Sequence, residues 1–267
     1  MRGRVLIMAG SDPSGGAGIQ ADIKTVTALG GYAAAVITAL TVQNTRGVEA
    51  VRQVEPQFIK DQARAVLDDI GADAIKIGMI GDAAAAEAIA DLIVESAPGI
   101  PVILDPVLVA TSGDALSGEG LASVMLERLA PLAAVITPNA IEAEALTGRA
   151  VESAEDLIAA GEALIQRGAT AALVKGGHLK GATVEDGLVT LGGARLFRNP
   201  RLETSSTHGT GCTLASALAT GIAQGLPLAA AAKRAIDYVH EAIRTAPGFG
   251  AGNGPLNHVW ALSKEDE

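Results

Sequence analysis

Short apolar runs alternate along this chain with segments of helical period, and each run stops at a glycine, a polar or a charged residue. Residues 5–9, Ala74–Ile77, Val102–Leu104, 134–137 and Ala171–Val174 are such runs. Their length and continuous apolar character fit strands buried on both faces. A longer run, 32–42, ends in Gln43-Asn44-Thr45. Residues 17–29, 56–70, 83–97, 119–129 and 154–167 carry the helical pattern, as in the Ile19, Ile23, Val26 and Leu29 stripe. Near the C-terminus, 184–197 reads as a hairpin, and 211–224 and 227–245 as two closing helices. Strand–helix alternation predicts a three-layer α/β/α architecture on a mostly parallel sheet. Ligands of such sheets bind beyond the carboxyl ends of the strands. No repeat, low-complexity tract or linker interrupts the pattern, so residues 1–267 are expected to form a single domain.

Composition agrees. Hydrophobic residues make up 49% of the chain but aromatics only 2%, so the core must be Ala, Val, Leu and Ile, which suits helices on a parallel sheet. A formal charge of −10 argues against nucleic acid or an anionic membrane as the main partner. The single cysteine, Cys212, precludes an internal disulfide, and the apolar run behind Arg2 and Arg4 is too short for a signal peptide. A cytoplasmic protein is expected. Residues 209–232 lack charge, which raises the question of a membrane span. Thr210, Thr213, Ser216, Thr220 and Gln224 dilute that stretch and Gly225-Leu226-Pro227 breaks it, so it reads as two soluble helices.

The chemistry concentrates in Thr207-His208-Gly209-Thr210-Gly211-Cys212-Thr213. Two glycines permit a tight turn, and the helix opening there aims unpaired N–H groups at one spot. Such a spot attracts anions, phosphate above all, and points to phosphoryl transfer in a small-molecule kinase. Asp22 borders the apolar face of its helix, about 45° from the centre at ~100° per residue. A carboxylate there either caps a buried group or faces a ligand. Asp105 ends one buried strand and Lys175 follows another. Asn139-Ala140-Ile141-Glu142 has the spacing of a capping box, which needs no ligand.

The full set of motifs comprises Ala9-Gly10-Ser11-Asp12-Pro13-Ser14-Gly15-Gly16-Ala17-Gly18-Ile19-Gln20-Ala21-Asp22, Val42-Gln43-Asn44-Thr45, Lys76-Ile77-Gly78-Met79, Asp105-Pro106-Val107, Thr137-Pro138-Asn139, Val174-Lys175-Gly176-Gly177-His178 and Thr207 to Thr213. Together they resemble the hydroxymethylpyrimidine/phosphomethylpyrimidine kinases of thiamine biosynthesis, in the ribokinase-like superfamily. The resemblance implies ATP-dependent phosphorylation of 4-amino-5-hydroxymethyl-2-methylpyrimidine, then of its monophosphate, with Mg²⁺ as cofactor. It implies that Gly209 and Gly211 shape the anion hole and that Cys212 is the proton acceptor where many sugar kinases carry aspartate. A helix N-terminus is expected to lower the thiol's pKa; His208 is an alternative base or an electrostatic neighbour. By the same resemblance Asp22 and Gln43 read the substrate, Gln43 offering one donor and one acceptor to an aminopyrimidine. Met79 and Val107 would sandwich the ring over the Gly10 backbone. Asn139, Lys175 and Thr210 would serve the nucleotide, and Asp105 and Glu142 the metal, since Mg²⁺ keeps waters and touches few carboxylates.

Two departures from the family pattern stand out. Thr111 occupies a position where many members have lysine, leaving phosphate to Ser112 or Lys175, and Leu108 replaces a common methionine without a large volume change. A homodimer is expected among relatives. Two further readings stay open: a pyridoxal kinase of the same family, and a non-catalytic pyrimidine-binding regulator.

Overall fold

The computed structural model describes residues 1–108 and 120–262. In chain order the elements are β1 (Arg4–Ser11), α1 (Gly18–Ala28), β2 (Tyr32–Asn44), β3 (Gly47–Gln53), α2 (Pro56–Asp69), β4 (Ala74–Ile77), α3 (Ala83–Ser96), β5 (Val102–Leu104), α4 (Leu121–Val124), β6 (Ala133–Ile136), α5 (Ala140–Thr147), α6 (Ala154–Gln166), β7 (Ala171–Val174), β8 (Thr183–Thr190), β9 (Gly193–Pro200), α7 (Thr210–Ala223) and α8 (Leu228–Arg244). All nine strands join one sheet in the order β3-β2-β1-β4-β5-β6-β7-β8-β9. The six strands from β2 to β7 pair in parallel, and β3, β8 and β9 add antiparallel edges.

Two apolar layers cover the sheet. Ile59 of α2, Ile89 and Leu92 of α3, Leu146 of α5 and Leu164 of α6 pack on one face with Met8, Ile75 and Ile136. Val26 of α1, Leu214 and Leu218 of α7 and Ile236 and Val239 of α8 pack on the other with Ile7, Ile103 and Leu173. Alternation of the strand residues between these lists is the period-2 signature of a sheet buried on both sides. Among the described residues no helix is long and apolar enough to cross a membrane.

The strand order reverses around β1. From β1 the chain crosses through α1 to β2 on one side, and from β3 it returns through α2 to β4 on the other. The crevice outside the carboxyl ends of β1 and β4 is therefore the topological switch point, where ligands of open α/β sheets bind.

Two stretches differ from expectation. Gly47–Gln53 forms β3, an exposed strand that pairs with the far end of β2. Residues 119–129 were expected as one helix, yet α4 gives way to a π-helical turn over Met125–Leu129 and a 3₁₀ turn over Ala130–Leu132. Pro131 has no N–H to continue an α ladder, and Arg128 is held sideways by Glu87 and Asp91 of α3.

Candidate active site

The carboxyl ends of β1, β4, β5, β6 and β7 deliver Gly10 to Asp12, Gly78 and Met79, Asp105, Thr137 to Asn139, and Lys175 along one edge of the sheet. The N-terminus of α7 meets this edge. Gly209, its N-cap, has φ +80°, and a Cβ there would collide with the Gly16 carbonyl, so only glycine fits. Gly211 has ordinary backbone, but a Cβ on it would sit 3.0 Å from Lys175 Nζ and 3.7 Å from Asp105 Oδ2. Among the described residues, neither the Gly211 nor the Cys212 N–H finds a backbone carbonyl. The turn thus presents two free donors beside a lysine, as an anion hole requires. Thr210 Oγ1 is engaged by donating to Thr207 O at 2.7 Å.

Asp12 ties this turn to the glycine-rich loop after β1. Its Oδ2 lies 2.8 Å from His208 Nε2, accepts from the Ser14 hydroxyl at 2.9 Å and from Ala17 N–H at 2.8 Å. Burial alone would raise its pKa, but the hydrogen bonds from His208, Ser14 and Ala17 outweigh that and hold it below the usual carboxylate range. His208 is therefore occupied in joining two loops. Its N–H donates to Gly254 O at 3.0 Å, and the neighbouring Asn253 N–H donates to Thr45 O at 2.7 Å. The 253–254 segment so contacts both the His208 turn and the tip of the β2–β3 hairpin.

On the opposite flank, Asp105 Oδ1 accepts from Lys175 Nζ at 2.8 Å and from Thr137 Oγ1 at 3.0 Å. Its Oδ2 is buried and, among the described residues, has no partner. Glu142 closes the capping box with Asn139, each side chain accepting from the other's N–H, at 2.8 and 2.9 Å. Burial pushes Glu142 up to about 7, with Asp105 adding to the rise and Lys175 opposing it. Lys175 itself is raised: burial lowers it, but Asp105 and Glu142 prevail. Two close carboxylates, one with an orphaned oxygen, fit a divalent cation. Among the described residues no three His, Cys, Asp or Glu gather for a metal, so such a cation would depend on ligands brought by a nucleotide.

On the substrate flank Met79, Ala39, Val48 and Val107 make a small apolar cluster beside Gly10, whose Cβ would stand 2.9 Å from Met79 Sδ. Gln43 lies where β2 overhangs β1; its Oε1 accepts from Thr41 Oγ1 at 3.2 Å. Asp22 is elsewhere engaged. It is fully buried, with Lys76 Nζ 3.0 and 2.9 Å from its two oxygens and the Ser216 hydroxyl donating at 2.7 Å. Of the two options open in the sequence, capping a buried group is the one these contacts serve. Cys212 is half-buried, and burial pushes its thiol up to about 11 despite Lys76 and the Gly18 N–H. The direction is opposite to the expected lowering: desolvation, with the nearby Asp22 and Asp105 charges, outweighs Lys76 and the Gly18 N–H. Thr111 and Ser112 lie outside the described residues.

The sequence placed Lys76, Thr137, Asp12 and His208 within motifs but not their pairings, Lys76 with Asp22, Thr137 with Asp105 and Asp12 with His208, and it gave Ser216 no role at the site. The signal for Lys76 was a charge inside an otherwise apolar strand.

A family model described as phosphomethylpyrimidine kinase matches residues 12–257. The chain belongs to this family. It is a phosphotransferase. Over 258 residues it is 47% identical to the hydroxymethylpyrimidine/phosphomethylpyrimidine kinase of Rhizobium meliloti, covering 95% of this chain and 96% of that protein. It is 48% identical over 99% of its length to the thiamine biosynthesis bifunctional protein ThiED of Geobacter sulfurreducens, of which it spans only 54%. Among solved structures, the phosphomethylpyrimidine kinase of Clostridium difficile superposes with TM-score 0.80 at 38% identity, over 90% of this chain and 99% of that one. The ADP complex of Bacillus subtilis pyridoxal kinase superposes with TM-score 0.90 at 32% identity, over 99% and 100%. The ribokinase-like fold expected from the sequence is thereby shown.

Proposed function

We propose that this chain, acting as a single domain, phosphorylates 4-amino-5-hydroxymethyl-2-methylpyrimidine with ATP and Mg²⁺, and then phosphorylates the monophosphate to the diphosphate. The observation that carries the reading is the convergence at α7: around Gly211 stand Lys175, two N–H donors and an Asp105 oxygen that find no partner among the described residues, on the same sheet edge as the apolar cluster beside Gly10. The names of its relatives supply the substrate class.

In this reading Met79 and Val107 hold the ring over Gly10, and Gln43 pairs with the aminopyrimidine edge. Asp22 acts from beneath by fixing Lys76. Gly209 and Gly211 form the turn that receives charge on the transferred group, a term worth roughly 3–4 kcal/mol per donor elsewhere. Lys175, Asn139 and Thr210 line the nucleotide side. Asp105 and Glu142 would hold Mg²⁺, which supplies charge neutralisation on the phosphates. Cys212 sulfur, as thiolate, takes the alcohol's proton: the O–H bond breaks, S–H forms, and the oxygen keeps the electron pair that attacks phosphorus while the bond to ADP breaks. The loose transition state asks for little deprotonation early, so a scarce thiolate suffices. A cytoplasmic homodimer completes the reading; light scattering tests the dimer.

The deciding experiment incubates the protein with ATP, Mg²⁺ and the pyrimidine or its monophosphate, with products identified by mass. Mono- and diphosphate are expected, and no product from either pyrimidine overturns the proposal. The pyridoxal kinase likeness favours pyridoxal as a second substrate for the same assay.

A further inference from the structure

Thr213 closes the first turn of α7. Its N–H donates to Gly209 O at 2.9 Å, so Gly209 and Thr213 bracket the turn that carries the Gly211 and Cys212 donors. Threonines inside helices commonly turn the hydroxyl back to the carbonyl four residues earlier. Thr25, Thr147 and Thr220 do so here, each at 2.7 Å. Thr213 is used differently: its hydroxyl lies 3.1 Å from His258 Nε2, 45 residues further along the chain. Both side chains are buried, Thr213 completely.

The direction of this bond follows from its surroundings. Were Nε2 protonated, the hydroxyl would accept, and its own proton would be buried with no acceptor among the described residues, a costly arrangement. Nε2 therefore accepts and Nδ1 carries the proton. Burial, with Lys24 adding, pushes His258 down to about 4, so the ring is neutral near pH 7 and able to accept.

His258 is itself held. Its carbonyl accepts from the Tyr238 hydroxyl at 2.5 Å, and Asn257 N–H donates to Ala242 O at 3.0 Å, both on α8. Four residues before it, Gly254 O accepts from His208 N–H and Gly254 N–H donates to Ser205 O, each at 3.0 Å. One segment anchored on α8 thus grips the turn from both sides, at 205–208 before it and at Thr213 after it.

We propose that His258 is a positioning residue for phosphoryl transfer: by accepting from the Thr213 hydroxyl it fixes the first turn of α7 against α8, and with it the aim of the Gly211 and Cys212 N–H groups. The inference rests on reading that turn as the anion hole. Donors aimed at charge that develops only in the transition state act on kcat, whereas ground-state binding of the nucleotide on the Lys175 side is spared.

Thr213→Val keeps the shape of the side chain and removes the hydroxyl. Deleting an oxyanion-hole donor outright costs about 100- to 1,000-fold in kcat, so donors retained but less well aimed should cost about tenfold. KM for ATP should stay within about twofold of the wild type, and Thr213→Ser, which keeps the hydroxyl, should restore kcat to within about twofold. Nitrogen-15 spectra of the histidine rings, four in the chain and assigned through His258→Gln, should show wild-type His258 unprotonated at Nε2. An unchanged kcat in Thr213→Val, a loss that falls on KM for ATP, an equal loss in Thr213→Ser, or a proton on Nε2 overturns the proposal. The ring spectrum needs no Thr213 variant and decides alone if Thr213→Val fails to fold. Wild-type silence towards both pyrimidines would count against the kinase reading, while the ring spectrum still decides whether His258 holds the turn.

Discussion

Gly209 and Gly211 stand two residues apart in the same turn, yet alanine at each should fail in different ways. At Gly211 the backbone is ordinary helix, so alanine is compatible and restricts the unfolded chain, adding about 0.4–1 kcal/mol of stability. At about 2.1 cal/mol/K per residue, the melting entropy of 267 residues makes 1 kcal/mol worth about 2 °C. The new methyl, however, stands 3.0 Å from Lys175 Nζ, and the lysine must give way by a few tenths of an ångström from the space facing the anion hole. Spoiling one preorganised donor costs about 100- to 1,000-fold in kcat in comparable sites. Gly211→Ala should therefore melt no lower than the wild type while turnover falls at least about 100-fold. Gly209→Ala instead forces φ +80° on an alanine and drives its methyl into the Gly16 carbonyl. The left-handed conformation alone costs about 1–2 kcal/mol, so its melting point should drop by several degrees. Initial rates of ADP formation with the pyrimidine, beside calorimetric melting, read both effects. Wild-type turnover in Gly211→Ala, or a large loss of its stability, would refute the reasoning.

Cys212→Ser should lose most turnover while nucleotide binding, followed by calorimetry, survives. With a thiol pushed up to about 11, wild-type turnover should climb with pH between about 7 and 9, and the serine variant should lack that climb. Glu142 binds its proton more tightly folded, at about 7, than unfolded, near 4.5. Its contribution is thus present below the unfolded value and is lost as pH rises through that window, on the order of 3 kcal/mol. Glu142→Gln should flatten this decline in denaturant titrations of nucleotide-free protein; an unchanged slope contradicts the assignment. Gln43→Ala should reduce kcat/KM for the pyrimidine more than for pyridoxal, whose ring lacks the aminopyrimidine pattern, and equal losses would count against Gln43 as reader.

The parallel strands and their helices were legible because runs such as 5–9 and Ala171–Val174 are continuous and buried on both faces. β3 was not, because Gly-Val-Glu-Ala-Val-Arg-Gln lies exposed at the sheet edge and lacks an apolar face. The glycine turn at 209–211 and the Asn139–Glu142 box announced themselves through local spacing. Asp22 bordered an apolar stripe, but its partners Lys76 and Ser216 come from 54 and 194 residues away, which no periodicity reports. The sign of the Cys212 shift was lost for the same reason, since desolvation and Asp105 enter only once the chain has closed.

The 253–254 segment acts as a gauge block. One N–H holds the hairpin tip at Thr45, and the next carbonyl holds the His208 turn. Adjacent Cα atoms are fixed about 3.8 Å apart by covalent geometry. The end of β2 that carries Gln43 and the turn that opens α7 are therefore joined through two adjacent residues by backbone groups alone, a link that needs no particular side chain at 253 or 254.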